Sequence, residues 1–425
     1  MSHRSQRRAA PELSLLLETP YRPLEAGPFH IVTTVTAPEI ASEEEERPPV
    51  NVSFVVDRSG SMAGGKLELV KAGVQHAFRL LNREDTFSLV VYDDRVDVIT
   101  DQRAARRRYR ADAANALSDV QPRGSTALAA GWASGCQLLA PLVDQGGEEQ
   151  RPICRTLLLT DGLANVGESD PTALAGHASE LKARGIATST FGVGSQFDDV
   201  LLAGMADAGG GKYHYIPNAA AIPQVFAGEL GELLATGARN VYLAVLVPAG
   251  GNVTNLNGLK EDSANRWVQA SLGDLMSGEQ RTITWRYELP ATEHGALEKV
   301  ALRLSWCDAD GRPREVVEQS LDVEARSDPG RSEQAVLDEV ALLRGAHARE
   351  EAVRMVRAGR ADLARASIFQ AREALPASPA GLAEASALDR IAADIDSADE
   401  TTRKEWYYES RLRQRNQQDY RRTKR

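Results

Sequence analysis

Between residues 50 and 236, short continuously apolar runs alternate with stretches whose apolar residues recur every three or four positions. The runs "VNVSFVVD" (50–57), "DTFSLVVYDD" (85–94), "CRTLLLTD" (154–161) and "IATSTFGVG" (186–194) have the length and composition of strands. "RVDVIT" (95–100) and "KYHYI" (212–216) are shorter candidates. "KLELVKAGVQHAFRLL" (66–81) sets Leu67, Val70, Val74, Phe78 and Leu81 on one helical face. Further helices are expected at 125–142, with Ser125 or Thr126 near the start, and in "AANALSDV", "DDVLLAGMADAGG" and "AIPQVFAGELGELLAT" (221–236). Another spans 170–185, with Asp170 as N-cap, Pro171 in first position and Gly185 as stop. Runs 89–91 and 157–159 are apolar on both faces, so both faces of their sheet must be covered. The expectation is a doubly wound α/β fold with a mainly parallel sheet, whose ligand sites lie at the C-terminal strand ends.

After Gly237 the period changes to two. "NVYLAVLVP", "RWVQASLG", "QRTITWRYELP", "KVALRLSW" and "EVVEQSLDVEA", separated by Gly, Pro, Asp and Asn, predict an antiparallel β-sandwich. "FHIVTTVTAP" (29–38) has the same pattern, so the α/β domain is expected to be inserted within the β-domain. From 330 the chain becomes Ala/Arg/Glu-rich and helical, with breaks that suggest a hairpin or three-helix unit. The expected boundaries are an N-terminal extension (1–25), first sandwich strands (26–47), the α/β domain (48–237), the sandwich (238–327), a helical domain (328–400) and a basic aromatic tail (401–425). In the tail, Trp406, Tyr407, Tyr408 and Tyr420 interleave with Lys and Arg. That pattern suits nucleic acid or an anionic surface, and more commonly marks a solvated terminus.

Composition excludes some classes. At 425 residues with a net charge of −10, the balance argues against the whole chain being a nucleic-acid binder and leaves a local basic patch open. Cys136, Cys154 and Cys307 are odd in number and widely spaced. They argue against a disulfide framework or zinc site and fit a reducing compartment. The leucines of "LSLLL" (13–17) are too few for a signal peptide, and no run approaches a membrane span. A cytoplasmic protein is expected.

Chemistry concentrates in "VVDRSGSMAGGKLEL" (55–69), which admits two readings. Gly60 to Lys66 fits the G-x-x-x-x-G-K of a phosphate loop. That loop needs a hydroxyl after its lysine to ligate Mg²⁺, and the residue here is Leu67. The alternative is D-x-S-x-S. At a strand end, alternate residues Asp57, Ser59 and Ser61 can aim three oxygens at one spot, as Mg²⁺ requires. Thr126 in "RGSTALAAG" and Asp161 in "LLLTDGLANVG" sit on comparable loops. Lys66 then becomes an ordinary first-turn surface residue. Asp93 and Asp94 are expected in solvated turn or capping roles, Asp198 and Asp199 at a helix start, and "CDADGRPRE" (307–315) as a hairpin turn.

These three loops resemble the metal-ion-dependent adhesion site of von Willebrand factor type A domains, over about residues 48–236. "LLAGMADAGGGKYHYI" is similar to the bacterial branch, related to the calcium-activated chloride channel and inter-α-trypsin inhibitor groups. The resemblance implies that Asp57, Ser59 and Ser61 ligate directly or through water. It implies that Thr126 can be engaged or released, and that Asp161 acts directly or through water. The second loop reads Gly124-Ser125-Thr126, where this branch often has Gly-Gly-Thr, and keeps the threonine. The implied function is non-enzymatic: Mg²⁺ (or Mn²⁺ or Ca²⁺) completed by a partner's Asp or Glu, with a MoxR-type AAA+ ATPase as first candidate partner. The sandwich would brace the site, and the helical C-terminus would add a docking surface. A nucleic-acid-associated protein using the tail is the rival from another class. A metal hydrolase is a third reading, but no nucleophile–base pair emerges.

Overall fold

The computed structural model describes residues 9–39, 47–145, 152–417, 419 and 421. It divides into two compact units. The first contains residues 1–41, 237–308 and 313–418, and the second residues 42–236, 309–312 and 419–425.

The first unit opens with β1 (Glu12–Leu17), β2 (Arg22–Pro23) and β3 (Gly27–Thr36). β1 is the "LSLLL" stretch, which lies within the expected extension. Its leucines alternate, and Leu13, Leu15 and Leu17 pack on the sandwich core while Glu12, Ser14 and Leu16 face out. It pairs antiparallel with β3.

The chain then enters the second unit. Its elements are β4 (Val50–Asp57), α1 (Lys66–Leu80), β5 (Thr86–Tyr92), β6 (Val96–Ala104), α2 (Arg107–Ser118), α3 (Leu128–Gln145) and β7 (Ile153–Thr160). There follow α4 (Pro171–Arg184), β8 (Ile186–Val193), α5 (Asp199–Ala208), β9 (Gly210–Ile216) and α6 (Ile222–Leu234). The sheet order is β6-β5-β4-β7-β8-β9, with only β6 antiparallel to its neighbour. Every residue of β4 and β7 is buried, as a sheet covered on both faces requires. Phe54 of β4 meets Phe78 of α1 edge-on, with ring centroids 5.2 Å apart, an arrangement worth about 0.5–1.5 kcal/mol beyond area burial. On α4, Asp170 accepts from the Thr172 and Ala173 N–H groups, Pro171 begins the helix, and Gly185 ends it with φ +107°.

Back in the first unit come β10 (Thr236–Leu246), β11 (Asn252–Asn255), β12 (Glu261–Ala264), β13 (Trp267–Met276), β14 (Gln280–Leu289), β15 (Leu297–Asp308) and β16 (Val317–Arg326). They complete two sheets, β1-β3-β14-β11 and β12-β13-β10-β15-β16-β2. The two inner faces share one core that includes Ile31, Trp285, Val241 and Leu302. The ten-residue pairing of β3 with β14 places the α/β unit as an insertion between sandwich strands.

Helices α7 (Gln334–Arg357), α8 (Ala361–Glu373), α9 (Pro379–Asp394) and α10 (Glu400–Arg415) end the unit. Here the expectation of a hairpin or three-helix unit with a free tail is corrected. α10 is a fourth packed helix, and Trp406, Tyr407 and Tyr408 are buried. Its end is pinned to the sandwich: Asn257 Nδ2 donates to the Gln414 carbonyl and Arg281 Nη1 to the Arg415 carbonyl, both at 3.0 Å. Aromatics at adjacent positions followed by a polar run resemble a solvated tail in sequence, but here Trp406 joins the helical core and its two neighbours are buried. Tyr420 lies outside the described residues.

Candidate functional site

β4 is the middle strand from which the chain departs in both directions, first to β5 and later to β7. The crevice beyond their C-terminal ends is the switch point of an open α/β sheet. Asp57 ends β4 and Asp161 follows β7, so both carboxylates stand there, and both are buried.

Asp57 is held from two sides. Its Oδ1 accepts the Ser59 N–H at 2.7 Å, and its Oδ2 accepts the Thr160 hydroxyl at 2.6 Å. Burial pushes its carboxyl up to about 6, helped by the Asp161 charge and opposed by the Thr160 and Ser59 hydrogen bonds. A single 3₁₀ turn, Gly60–Met62, brings Ser61 round beside Ser59, with the hydroxyls 3.0 Å apart. The Ser61 hydroxyl donates to Asp161 Oδ1 at 2.5 Å.

The second loop is laced to the first. The Gly60 N–H donates to the Gly124 carbonyl at 3.1 Å and the Arg123 N–H to the Arg58 carbonyl at 2.8 Å. The Thr126 N–H donates to Asn165 Oδ1 at 2.8 Å, which ties it to the loop after β7. A Cβ on Gly162 would stand 3.3 Å from Ser61 Oγ and 3.6 Å from Thr126 Oγ1, so glycine keeps the space between these hydroxyls open. The structure therefore brings all five residues singled out in the sequence to one crevice. Asp57, Ser59, Thr126 and Asp161 are buried, and Ser61 is exposed, which leaves the crevice an open side.

Two expectations are corrected. Lys66 is not an ordinary surface residue: its Nζ lies 2.5 Å from Asp161 Oδ2 and 3.2 Å from the Ser61 carbonyl. Asp93 is not solvated. It is buried, and its Oδ2 accepts from Arg58 Nε at 3.0 Å and Arg123 Nε at 2.5 Å. Both arginines also pair with Asp97. This cluster fastens the first two loops together and had no signal beyond the charges themselves. Asp94 is exposed, and Asp198 caps α5 by accepting from the Leu201 N–H at 3.0 Å. Thr160 and Asn165 were missed because their role is to orient other groups. The two readings of the opening stretch now meet, since the lysine of the apparent phosphate loop reaches the acidic site instead.

Among the described residues, no group of three or more His, Cys, Asp or Glu side chains converges as a metal-ligand set. The crevice offers two carboxylates and three hydroxyls, a donor set that suits a hard divalent cation rather than a soft one. The ammonium already drawn to Asp161 shows that the pocket attracts positive charge. Among the described residues, no helix is long and apolar enough to cross a membrane.

Residues 51–228 match the family model of the von Willebrand factor type A domain. The α/β unit thus carries a domain of this kind, which typically mediates protein–protein interaction through a metal site. Relatives include the uncharacterised protein YfbK of Escherichia coli (strain K12), 29% identical over 51% of this chain and 38% of that protein. The uncharacterised protein sll0103 of Synechocystis is 26% identical over 57% of this chain and 58% of its own length. The chain thus spans less than two thirds of either relative. Human inter-alpha-trypsin inhibitor heavy chain H3 is 31% identical over 29% of this chain and 14% of its own. Among solved structures, a von Willebrand factor type A protein from Catenulispora acidiphila superposes with a TM-score of 0.75 at 19% identity, covering 96% of this chain and 98% of that one. The ArnB paralog VWA2 from Sulfolobus acidocaldarius gives 0.61 at 11% identity, covering 96% and 99%. The whole architecture, not the α/β unit alone, is therefore a shared fold.

Proposed function

We propose that the von Willebrand factor type A domain of this chain is a metal-dependent protein-interaction module with an intact adhesion site. Asp57, Ser59, Ser61, Thr126 and Asp161 hold one divalent cation. Mg²⁺ is the first choice, with Mn²⁺ or Ca²⁺ as alternatives. The observation that carries this is the convergence of the two buried carboxylates and three hydroxyls on a crevice with one open side. Two aspartates balance the charge of such a cation, which can still attract a further carboxylate. A partner's Asp or Glu, entering from the open side at Ser61, completes the coordination. Thr160 and the Ser59 N–H keep Asp57 aimed, and Asn165 keeps Thr126 on its loop.

The chain does no chemistry of its own in this reading and works in the cytoplasm within a bacterial multi-protein assembly. A MoxR-type AAA+ ATPase is the first partner to try, a choice that rests on family resemblance. Calorimetry should show Mg²⁺ or Mn²⁺ binding that Asp57→Ala abolishes. Co-purification with such an ATPase should require Mg²⁺ and fail in EDTA. A partner set indifferent to EDTA and to Asp57→Ala would reduce the site to a structural feature.

A further inference from the structure

Lys66 is given no task by five oxygen ligands, yet its ammonium lies in the site. Its Nζ is 2.5 Å from Asp161 Oδ2 and 3.2 Å from the Ser61 carbonyl. Asp161's other oxygen takes the Ser61 hydroxyl at 2.5 Å, so both oxygens of this buried carboxylate are engaged. The local backbone makes this approach possible. Gly64 and Gly65 are both left-handed, with φ +76° and +93°, a conformation L side chains rarely adopt, and nothing lies within 4 Å of either missing Cβ. They turn the chain after the 3₁₀ turn so that α1 begins at Lys66, facing back toward Asp161. The Lys66 side chain remains 36% exposed and has somewhere to go.

Charge supplies the rest. The two aspartates sum to −2, which a divalent cation balances by itself. An ammonium kept on the same carboxylate would repel the metal, because like charges a few ångströms apart raise each other's free energy. We infer that Lys66 is a tethered cation that closes the metal site: it neutralises Asp161 in the metal-free protein, and a divalent metal binds by displacing it. The inference rests on the metal-site reading above and adds a built-in competitor, which sets the metal concentration at which the partner surface is completed.

The test uses the full chain with Mn²⁺ as probe, its free concentration read by electron paramagnetic resonance. Lys66→Met should bind Mn²⁺ about tenfold more tightly, the factor expected if the ammonium closes about nine molecules in ten. Lys66→Gln replaces it should the first variant fail to fold. Limited amine acetylation followed by mass spectrometry supplies a second readout in the unmodified chain. Lys66 should label slowly in EDTA and severalfold faster in saturating Mg²⁺. Equal Mn²⁺ affinity in both proteins overturns the closure while leaving the metal site standing. Tighter binding with unchanged labelling reduces Lys66 to a through-space charge effect and overturns displacement. An absence of Mn²⁺ binding in every protein overturns the metal site and the closure together.

Discussion

Asp93 shows how a single side chain can be structural in a place that invites a functional reading. It sits one residue past β5, at the same sheet end as Asp57, but two guanidinium groups consume it. Burial alone would raise its carboxyl. Hydrogen bonds from Arg123 and the Arg95 N–H, with the charges of Arg58 and Arg123, hold it below the ordinary carboxylate range instead. Asp93→Asn leaves Arg58 buried without its full partner and should cost about 3 kcal/mol at pH 7. The sign of the pH dependence follows from the lowered value. The stabilisation is complete above the unfolded carboxylate pKa of about 4 and is lost as pH falls through the folded value. Urea midpoints of the two proteins should therefore differ at pH 7 and draw together only as the pH falls below the ordinary carboxylate range, through the lowered folded value. A constant gap would show that the ionised carboxylate is not what matters.

Helix α3 makes the corresponding case for elements. Its apolar period was legible, but the closeness of its approach to the sheet was not. Gly131 and Gly135, four apart, lie on one face. A Cβ at 131 would stand 2.5 Å from the Tyr92 ring, and one at 135 would collide with Val55. The helix that follows Thr126 is thereby held tight against β4 and β5. Gly131→Val should cost about 1–3 kcal/mol by overpacking, read as a lower urea midpoint. Gly176, inside α4, has nothing within 4 Å of its missing Cβ. Gly176→Ala should instead gain about 0.5–1 kcal/mol. Equal effects at the two sites would remove packing as the explanation.

At the scale of the whole molecule, the sandwich and the four C-terminal helices form one compact unit with interrupted sequence, and the α/β unit has its own core. Tyr408 on α10 is almost fully buried. Tyr408→Ala should destabilise by about 3–5 kcal/mol, the range for emptying a large aromatic site, and calorimetric scanning would measure it. A deletion of 403–425 removes most of α10, so loss of nucleic-acid binding after such a deletion would report unfolding rather than a lost tail. Substitution of exposed basic side chains, with Tm unchanged, is the sound test of that rival.

Sequence alone determined what depends on local periodicity and on spacing along one strand end. The runs at 89–91 and 157–159 announced a doubly covered sheet, and D-x-S-x-S announced three oxygens on one loop, because alternation along a short loop is a local property. The five candidate residues could be singled out as a set because each lies at or just past a strand end or just before a helix. Tertiary structure decided which groups meet across elements. Lys66 reads as a first-turn surface lysine until β4 and β7 stand side by side and bring Asp161 within reach of its ammonium. Trp406 reads as part of a tail until α7 to α9 offer a core for it to join. The physical reason is common to both. An ammonium or an aromatic ring takes its lowest free energy from whatever partner lies nearest in space, and only the folded chain sets that distance.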